Sequence, residues 1–198
     1  MFSGIITDLG TVRSIEVSGD SRFEFSTGFD TVAIGTGASV CCSGICLTVI
    51  DKGEGWFAAD VSAETLARTT MGDWGEGSAV NFEGALKIGD ELGGHLVSGH
   101  IDGVATVVGV TEEGESRRIV FEAPDGPDEL HRMIAAKGSV AVDGVSLTVN
   151  EVEDSRFRVN VIPHTLQATT LGALKPGDRV NLEIDMLARY VARLLEGK

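Results

Sequence analysis

The feature that most constrains this chain is that it repeats itself. Gly44-Ile45-Cys46-Leu47-Thr48-Val49 returns one hundred positions later as Gly144-Val145-Ser146-Leu147-Thr148-Val149. Glu64-Thr65-Leu66 is answered by His164-Thr165-Leu166, and Gly77, Val80, Asn81 and Glu83 reappear as Gly177, Val180, Asn181 and Glu183. Compared without a gap, residues 36–83 and 136–183 agree at 17 of 48 positions. Such self-similarity marks a duplicated unit. At the start of each half the shift is 95: Leu96–Ile101 aligns with Met1–Ile6. Extra residues before Lys137 bring the shift to 100. The 198 residues therefore divide into two units, 1–94 and 95–185, each of roughly the size that can bury its own core. The glycine-rich stretch 84–94 reads as the connection.

Within the first unit, Val, Ile, Phe and Thr concentrate in 4–15, 22–26, 39–50, 55–61 and 79–83, separated by turn signals such as Ser18-Gly19-Asp20 and Asp51-Lys52-Gly53. Glu64–Met71 reads as one or two helical turns, and in the second unit 127–134 reads as a short helix opened by Pro127. Five or six short strands per unit without strand–helix alternation indicate an all-β fold. Closure into a small Greek-key barrel removes open edges; a β-sandwich is the alternative. After Asp185, Met186, Leu187, Tyr190, Val191, Leu194 and Leu195 recur at helical spacing, so 186–198 reads as an amphipathic helix capped by Asp185. Its apolar face fits either the groove between the units or another copy of the chain, the second being favoured because a terminal helix is easily shared around a symmetry axis.

Hydrophobic residues make up 42% of the chain and its net charge is −14. That acidity argues against a nucleic-acid partner, which needs a basic face. No apolar run approaches the roughly 18 residues of a membrane span, and no basic segment followed by an apolar one opens the chain, so a cytoplasmic protein is expected. Cys41, Cys42 and Cys46 crowd one segment with no second Cys/His cluster at zinc spacing, so free thiols and no metal are expected. Neither a dinucleotide fingerprint nor a P-loop is present.

Cys46 can be a small hydrophobe in a strand or a member of a site shared with its echo Ser146. Thr48 and Thr148, two residues on, face the same side. His95 and His100 flank glycines that permit close backbone approach, and histidine moves protons near neutral pH; a turn histidine bonded to backbone is the plainer reading. Lys137 and Asp143 flank the strand entering the second copy of the motif, where each can equally be a surface or a turn residue.

Taken together, Met1-Phe2-Ser3-Gly4-Ile5-Ile6, Gly44-Ile45-Cys46-Leu47-Thr48-Val49, Gly93-Gly94-His95-Leu96-Val97-Ser98-Gly99-His100-Ile101, Asp143–Val149 and Ile162-Pro163-His164-Thr165-Leu166 resemble the riboflavin synthase family, alpha-chain type, over essentially the whole chain. The resemblance implies two six-stranded Greek-key barrels, a C-terminal helix and a homotrimer whose sites lie between neighbouring subunits. It implies conversion of two 6,7-dimethyl-8-ribityllumazine molecules into riboflavin and 5-amino-6-(D-ribitylamino)uracil, without cofactor or metal. A lumazine- or flavin-binding protein without turnover shares the fold and is the alternative; a structural adaptor would bind neither ligand. Lumazine synthase is a further candidate partner.

Carried over by motif, one pocket is expected from Gly4, Ile5, Ile6, Cys46, Leu47, Thr48, Asp60, Val61, Ser62, Ala63, Glu64 and Thr65. The other is expected from Gly99, His100, Ile101, Ser146, Leu147, Thr148, Asn160, Val161, Ile162, Pro163, His164 and Thr165, with Lys137 reaching in from a neighbour. The reacting set implied is Ser39, Cys46, His100, Asp143, Thr148 and Asp185, with His100 and Thr148 handling a proton, Cys46 or Ser39 assisting addition, and the two aspartates orienting donors. Ser3 stands where threonine is common and Ile45 where some relatives carry cysteine.

Overall fold

The structure is a computed structural model that describes residues 1–18, 20–124 and 130–195. Strands β1 (Asp8–Ser18), β2 (Asp20–Ser26), β3 (Ser39–Cys42), β4 (Ile45–Gly53), β5 (Trp56–Val61) and β6 (Ala79–Gly84) close into one antiparallel barrel in the order β1-β2-β5-β4-β3-β6. Strands β7 (Gly103–Glu113), β8 (Ser116–Glu122), β9 (Ser139–Val142), β10 (Val145–Glu153), β11 (Arg156–Val161) and β12 (Arg179–Ile184) close into a second with the same cyclic order. The sandwich alternative is thereby excluded. Irregular register falls at equivalent places, between Val12 and Ser14 and between Val107 and Gly109, then between Val49 and Asp51 and between Val149 and Glu151. Bulges of this kind sharpen the bend that closing a small barrel requires.

The expected strand over 39–50 is in fact two. Ser43 (φ 44) and Gly44 (φ 86) form the two-residue turn between β3 and β4, and Asp143 (φ 45) and Gly144 (φ 79) repeat it between β9 and β10. Positive φ at both central residues gives the turn whose twist matches that of the flanking strands. The first strand also begins later than expected, at Asp8, because residues 1–7 leave the barrel as an arm. Part of the helix expected over 127–134 lies outside the described residues; the part within them is a 3₁₀ turn, Leu130–Met133. Helix α1 (Ala63–Arg68), followed by a 3₁₀ turn, occupies the place where one or two helical turns were expected, and α2 (Pro163–Ala168) with its own 3₁₀ turn repeats it in the second unit.

Period-2 alternation decides which side chains enter each core. On β4, Ile45, Leu47 and Val49 are buried while Cys46 and Thr48 face out; β10 does the same with Val145, Leu147 and Val149 against Ser146 and Thr148. The first core is aromatic, with Phe25, Phe57 and Phe82 rings 5.1–5.7 Å apart. The second is mostly aliphatic around Phe121 and Phe157, 5.2 Å apart.

Between the barrels runs a seam with approximate two-fold symmetry. Fully buried Asn81 donates to the Asp143 carbonyl (2.9 Å) and accepts from the Thr170 amide (2.8 Å); Asn181 donates to the Ser43 carbonyl (2.9 Å) and accepts from the Thr70 amide (2.8 Å). Phe2 and Val97 exchange backbone hydrogen bonds and pack with Cys41 and Ala141 in a small core of their own. Helix α3 (Met186–Leu195) follows β12, its Leu187 amide bonded to the Asp185 carboxylate (3.0 Å) and Arg189 paired with Asp102 (2.9 Å). It contacts the Leu130–Met133 turn and leaves Leu187, Tyr190, Val191, Leu194 and Leu195 more than half exposed. Among the described residues no helix is long and apolar enough to cross a membrane.

Candidate functional site

The outer face of β4 presents Cys46, half-buried, and Thr48, exposed, with Ser39 of β3 directly opposite Thr48. Near the end of β5, exposed Asp60 leads towards α1, whose first turn is fixed by the Ser62 hydroxyl accepting from the Thr65 amide (3.2 Å). The segment that completes this wall comes from between the barrels. The Gly99 carbonyl accepts from the Cys46 amide (2.9 Å), and a Cβ on Gly99 would lie 2.5 Å from that of Cys46. Only glycine permits this approach, the more so with φ 80. His100 follows, exposed, and Ile101 packs against the first barrel's core.

The second wall repeats the first with the arms exchanged. Here the Gly4 carbonyl accepts from the Ser146 amide (2.8 Å), a Cβ on Gly4 (φ 77) would lie 2.5 Å from that of Ser146, and Ile6 packs on the second barrel's core. This corrects the expected grouping. Gly4 docks on Ser146 and Ile6 on the second core, Gly99 on Cys46 and Ile101 on the first core, because each arm crosses the seam before it docks. Four further expected pocket residues are Leu47, Leu147, Val61 and Val161. All four side chains are buried in the cores, so these residues offer a ligand backbone groups only.

Both arms are anchored by buried carboxylates. Glu83 on β6 accepts from the Ser3 amide and hydroxyl (2.6 Å each) and the Gly4 amide (2.9 Å). Glu183 on β12 accepts from the Ser98 amide and hydroxyl (2.6 Å each), the Gly99 amide (2.8 Å) and the His100 amide (3.0 Å). Sequence reasoning registered this pair only as part of the repeat and gave it no role. Identity in both copies was the available signal, together with Ser3 and Ser98 at the shift of 95.

The other expected residues scatter. His95 is buried with Nδ1 2.7 Å from the Ser146 hydroxyl; burial pushes its pKa down against the opposing pull of Asp185 and Glu183, favouring the neutral imidazole. Asp143 stands at the tip of its hairpin, on a seam cleft lined also by Ser43, Thr70 and Thr170, away from the outward faces of Cys46 and Thr148. Burial pushes its carboxyl up to about 7, countered by the Asn181 amide at 2.8 Å. Lys137, at φ 67, donates its amide to Val149 at the entry to β9. Asn160 donates to Glu113 (2.9 Å), and His164 is exposed on α2.

Ser39 also lines a cleft of about 810 Å³ in the first barrel with Ile5, Phe29, Ile34 and Lys87. One wall is the 31–34 loop, held by the Lys52 ammonium donating to the carbonyls of Thr31 (2.7 Å), Val32 (3.2 Å) and Ile34. The three thiols are free. Burial pushes those of Cys41 and Cys42 well up, which makes them poor nucleophiles and leaves Cys46 as the accessible sulfur.

The model of the lumazine binding domain matches the chain twice, at residues 3–85 and 98–185. Riboflavin synthase of Brucella abortus is 47% identical over 99% of this chain and 98% of its own; that of Escherichia coli is 41% identical over 99% and 92%. Among solved structures, LumP complexed with riboflavin superposes with a TM-score of 0.82 at 28% identity, covering 93% of this chain and 99% of that one. LumP complexed with 6,7-dimethyl-8-(1'-D-ribityl) lumazine gives 0.80 at 26%, covering 92% and 98%. With two walls of one design, crossed arms and near-complete coverage by these relatives, the chain belongs to the riboflavin synthase family, built from two lumazine binding domains.

Proposed function

We propose that the protein is a riboflavin synthase, a transferase that moves a four-carbon unit between two molecules of 6,7-dimethyl-8-ribityllumazine to give riboflavin and 5-amino-6-(D-ribitylamino)uracil. The observation that carries this reading is the pair of equivalent walls, each an outward strand completed by a crossing arm. A reaction between two copies of one substrate needs two related pockets. Holding both copies in fixed orientation replaces a bimolecular encounter with an effectively intramolecular one. The two products together contain every atom of the two substrates, so no external oxidant or reductant enters.

Each unit, 1–94 and 95–185, binds one lumazine. The C7 methyl group is acidic because the ring delocalises the resulting anion, so a modest base suffices. His100, exposed on a fixed backbone, takes that proton with Thr148 from a facing wall. Cys46 or Ser39 assists addition at the other lumazine. Asp143, on the seam, acts by holding the β9–β10 turn, and Asp185 acts beside the start of α3. The productive site pairs the first barrel of one subunit with the second barrel of a neighbour, Lys137 reaching across. Residues 186–198 assemble a homotrimer through the exposed apolar face of α3, in the cytoplasm.

Incubating purified protein with the lumazine alone tests this: one riboflavin per two lumazines consumed is expected. Bound but unchanged lumazine would replace the enzyme with a binding protein, which the LumP superpositions make the second reading.

A further inference from the structure

Resting on that reading, we infer that Glu183 and Glu83 are positioning residues that act crosswise. Each sits on one barrel and fixes the arm that completes the pocket of the other. Glu183 belongs to β12 of the second barrel, yet the arm it holds carries the Gly99 carbonyl onto Cys46 and places His100 at the first barrel's wall. Glu83 belongs to β6 of the first barrel and holds the arm that carries the Gly4 carbonyl onto Ser146 of the second.

The chemistry of the clamps suits this task. A carboxylate is an acceptor only, so it can gather amide and hydroxyl donors that no neutral side chain of its size would satisfy together. Both oxygens of Glu183 accept twice, from Ser98 N and Oγ and from Gly99 N and His100 N, and the residue is only 1% exposed. Charge-assisted bonds to a buried carboxylate are roughly twice as strong as neutral ones. The arms need such anchors because neither belongs to a strand: among the described residues the only ladder contact they make is the isolated Phe2–Val97 bridge.

The clamps are unequal in one respect. Glu83 gathers three donors, and the next amide, Ile5, turns instead to the Ser3 hydroxyl at 3.3 Å. Glu183 takes the His100 amide directly. The backbone of the proposed base is therefore fixed by the opposite barrel, while the equivalent residue in the other arm is held one step removed. Loss of the Glu183 clamp should mislead the base as well as loosen the pocket.

The chain's four histidines supply separate reporters: His100 beside the first wall and His164 on α2 beside the second. Riboflavin is titrated into ¹³C-histidine-labelled full-length protein and the ring signals are followed. Glu183→Asp, which keeps the acceptor but shortens its reach, should weaken the binding sensed at His100 about tenfold and that at His164 less than about twofold. Glu83→Asp should do the reverse. Turnover should fall further in Glu183→Asp, in kcat more than in KM. If either variant fails to fold, Ser98→Ala and Ser3→Ala remove one donor from each clamp and should give the same crossed pattern at about threefold. Equal weakening at both reporters, or weakening confined to the carboxylate's own barrel, overturns the proposal while leaving the functional reading intact. A wild-type protein in which neither histidine responds to riboflavin overturns both.

Discussion

The two barrels share topology, bulge positions, hairpin turns and arm docking, and differ in a few side chains placed where the repeat meets itself. On the first wall the outward pair beneath the arm is Cys41 and Cys46; on the second it is Ala141 and Ser146. At the hairpin tips Ser43 faces Asp143 across the seam, and the hydroxyl and the carboxylate do the same work, accepting from the amides of Asn81 (3.1 Å) and Asn181 (2.8 Å) respectively. After the final strand of each barrel the chains part: one runs as the connection to the second unit, the other becomes α3. Within the barrels the strand order, bulges and hairpins are two-fold, and the differences on the two walls lie in side chains. On the proposed function, two identical lumazines would meet in related orientations and still encounter different functional groups.

The largest blow to that symmetry should come from the arms. Gly99→Ala forces a methyl against Cys46 at a positive φ and should cost on the order of 3 kcal/mol in urea unfolding. Gly4→Ala, with the same clearance and nearly the same φ, should cost as much within about 0.5 kcal/mol. A much cheaper Gly4→Ala would show that the second wall yields where the first does not.

The hairpin tips should differ in pH dependence. The carboxyl of Asp143 is raised in the folded state from 3.8 to about 7, so between those values the native protein holds a proton that the unfolded chain has released. Its contribution to stability is therefore full below the unfolded pKa, falls as pH rises through this window by up to about 1.4 kcal/mol per pH unit, and levels off above about 7. Asp143→Asn should flatten that slope, whereas Ser43→Ala should leave it unchanged. Urea midpoints measured from pH 4 to 8 decide it.

The smallest expected effect concerns the helical turns beside the walls. Ser62 caps α1 through its hydroxyl, but α2 begins at Pro163 behind Ile162 with no side-chain cap. Ser62→Ala should cost about 0.5–1 kcal/mol, and Ile162→Ser should gain no more than that. Thermal melts of the two variants against the parent resolve the difference.

Much of this was legible in the residues. The repeat announced two units, strand periodicity put Thr48 on the side of Cys46 and Thr148 on that of Ser146 without saying which side faces outward, and the spacing after Asp185 announced α3. The exchange of arms was not legible. Gly4 and Gly99 stand in the same register as their own barrels' motifs, and only chain tracing in three dimensions shows that each docks on the other's strand. Linear grouping therefore put Gly4 with Cys46. The seam position of Asp143 was not legible for a related reason: a tight turn puts it on the cleft between the barrels while Ser146, close in sequence, lies on the outer face of β10. The turn at Ser43-Gly44 was itself hidden because its flanks, Cys41-Cys42 and Ile45-Cys46, read as one uninterrupted apolar run.

Among the described residues every strand has a hydrogen-bonded neighbour on both sides, twelve strands in two closed rings. A chain built this way offers no free backbone edge among its strands for another molecule to extend. For these twelve strands, pairing with a further strand would first require a barrel to open. Contacts with other copies must be written in loops, arms and α3, where single residues can be altered without unzipping a barrel. The same closure sets the hazard during synthesis: until β6 returns to pair with β1, the first six strands carry two open edges, and that interval is when an emerging chain is most exposed to its neighbours.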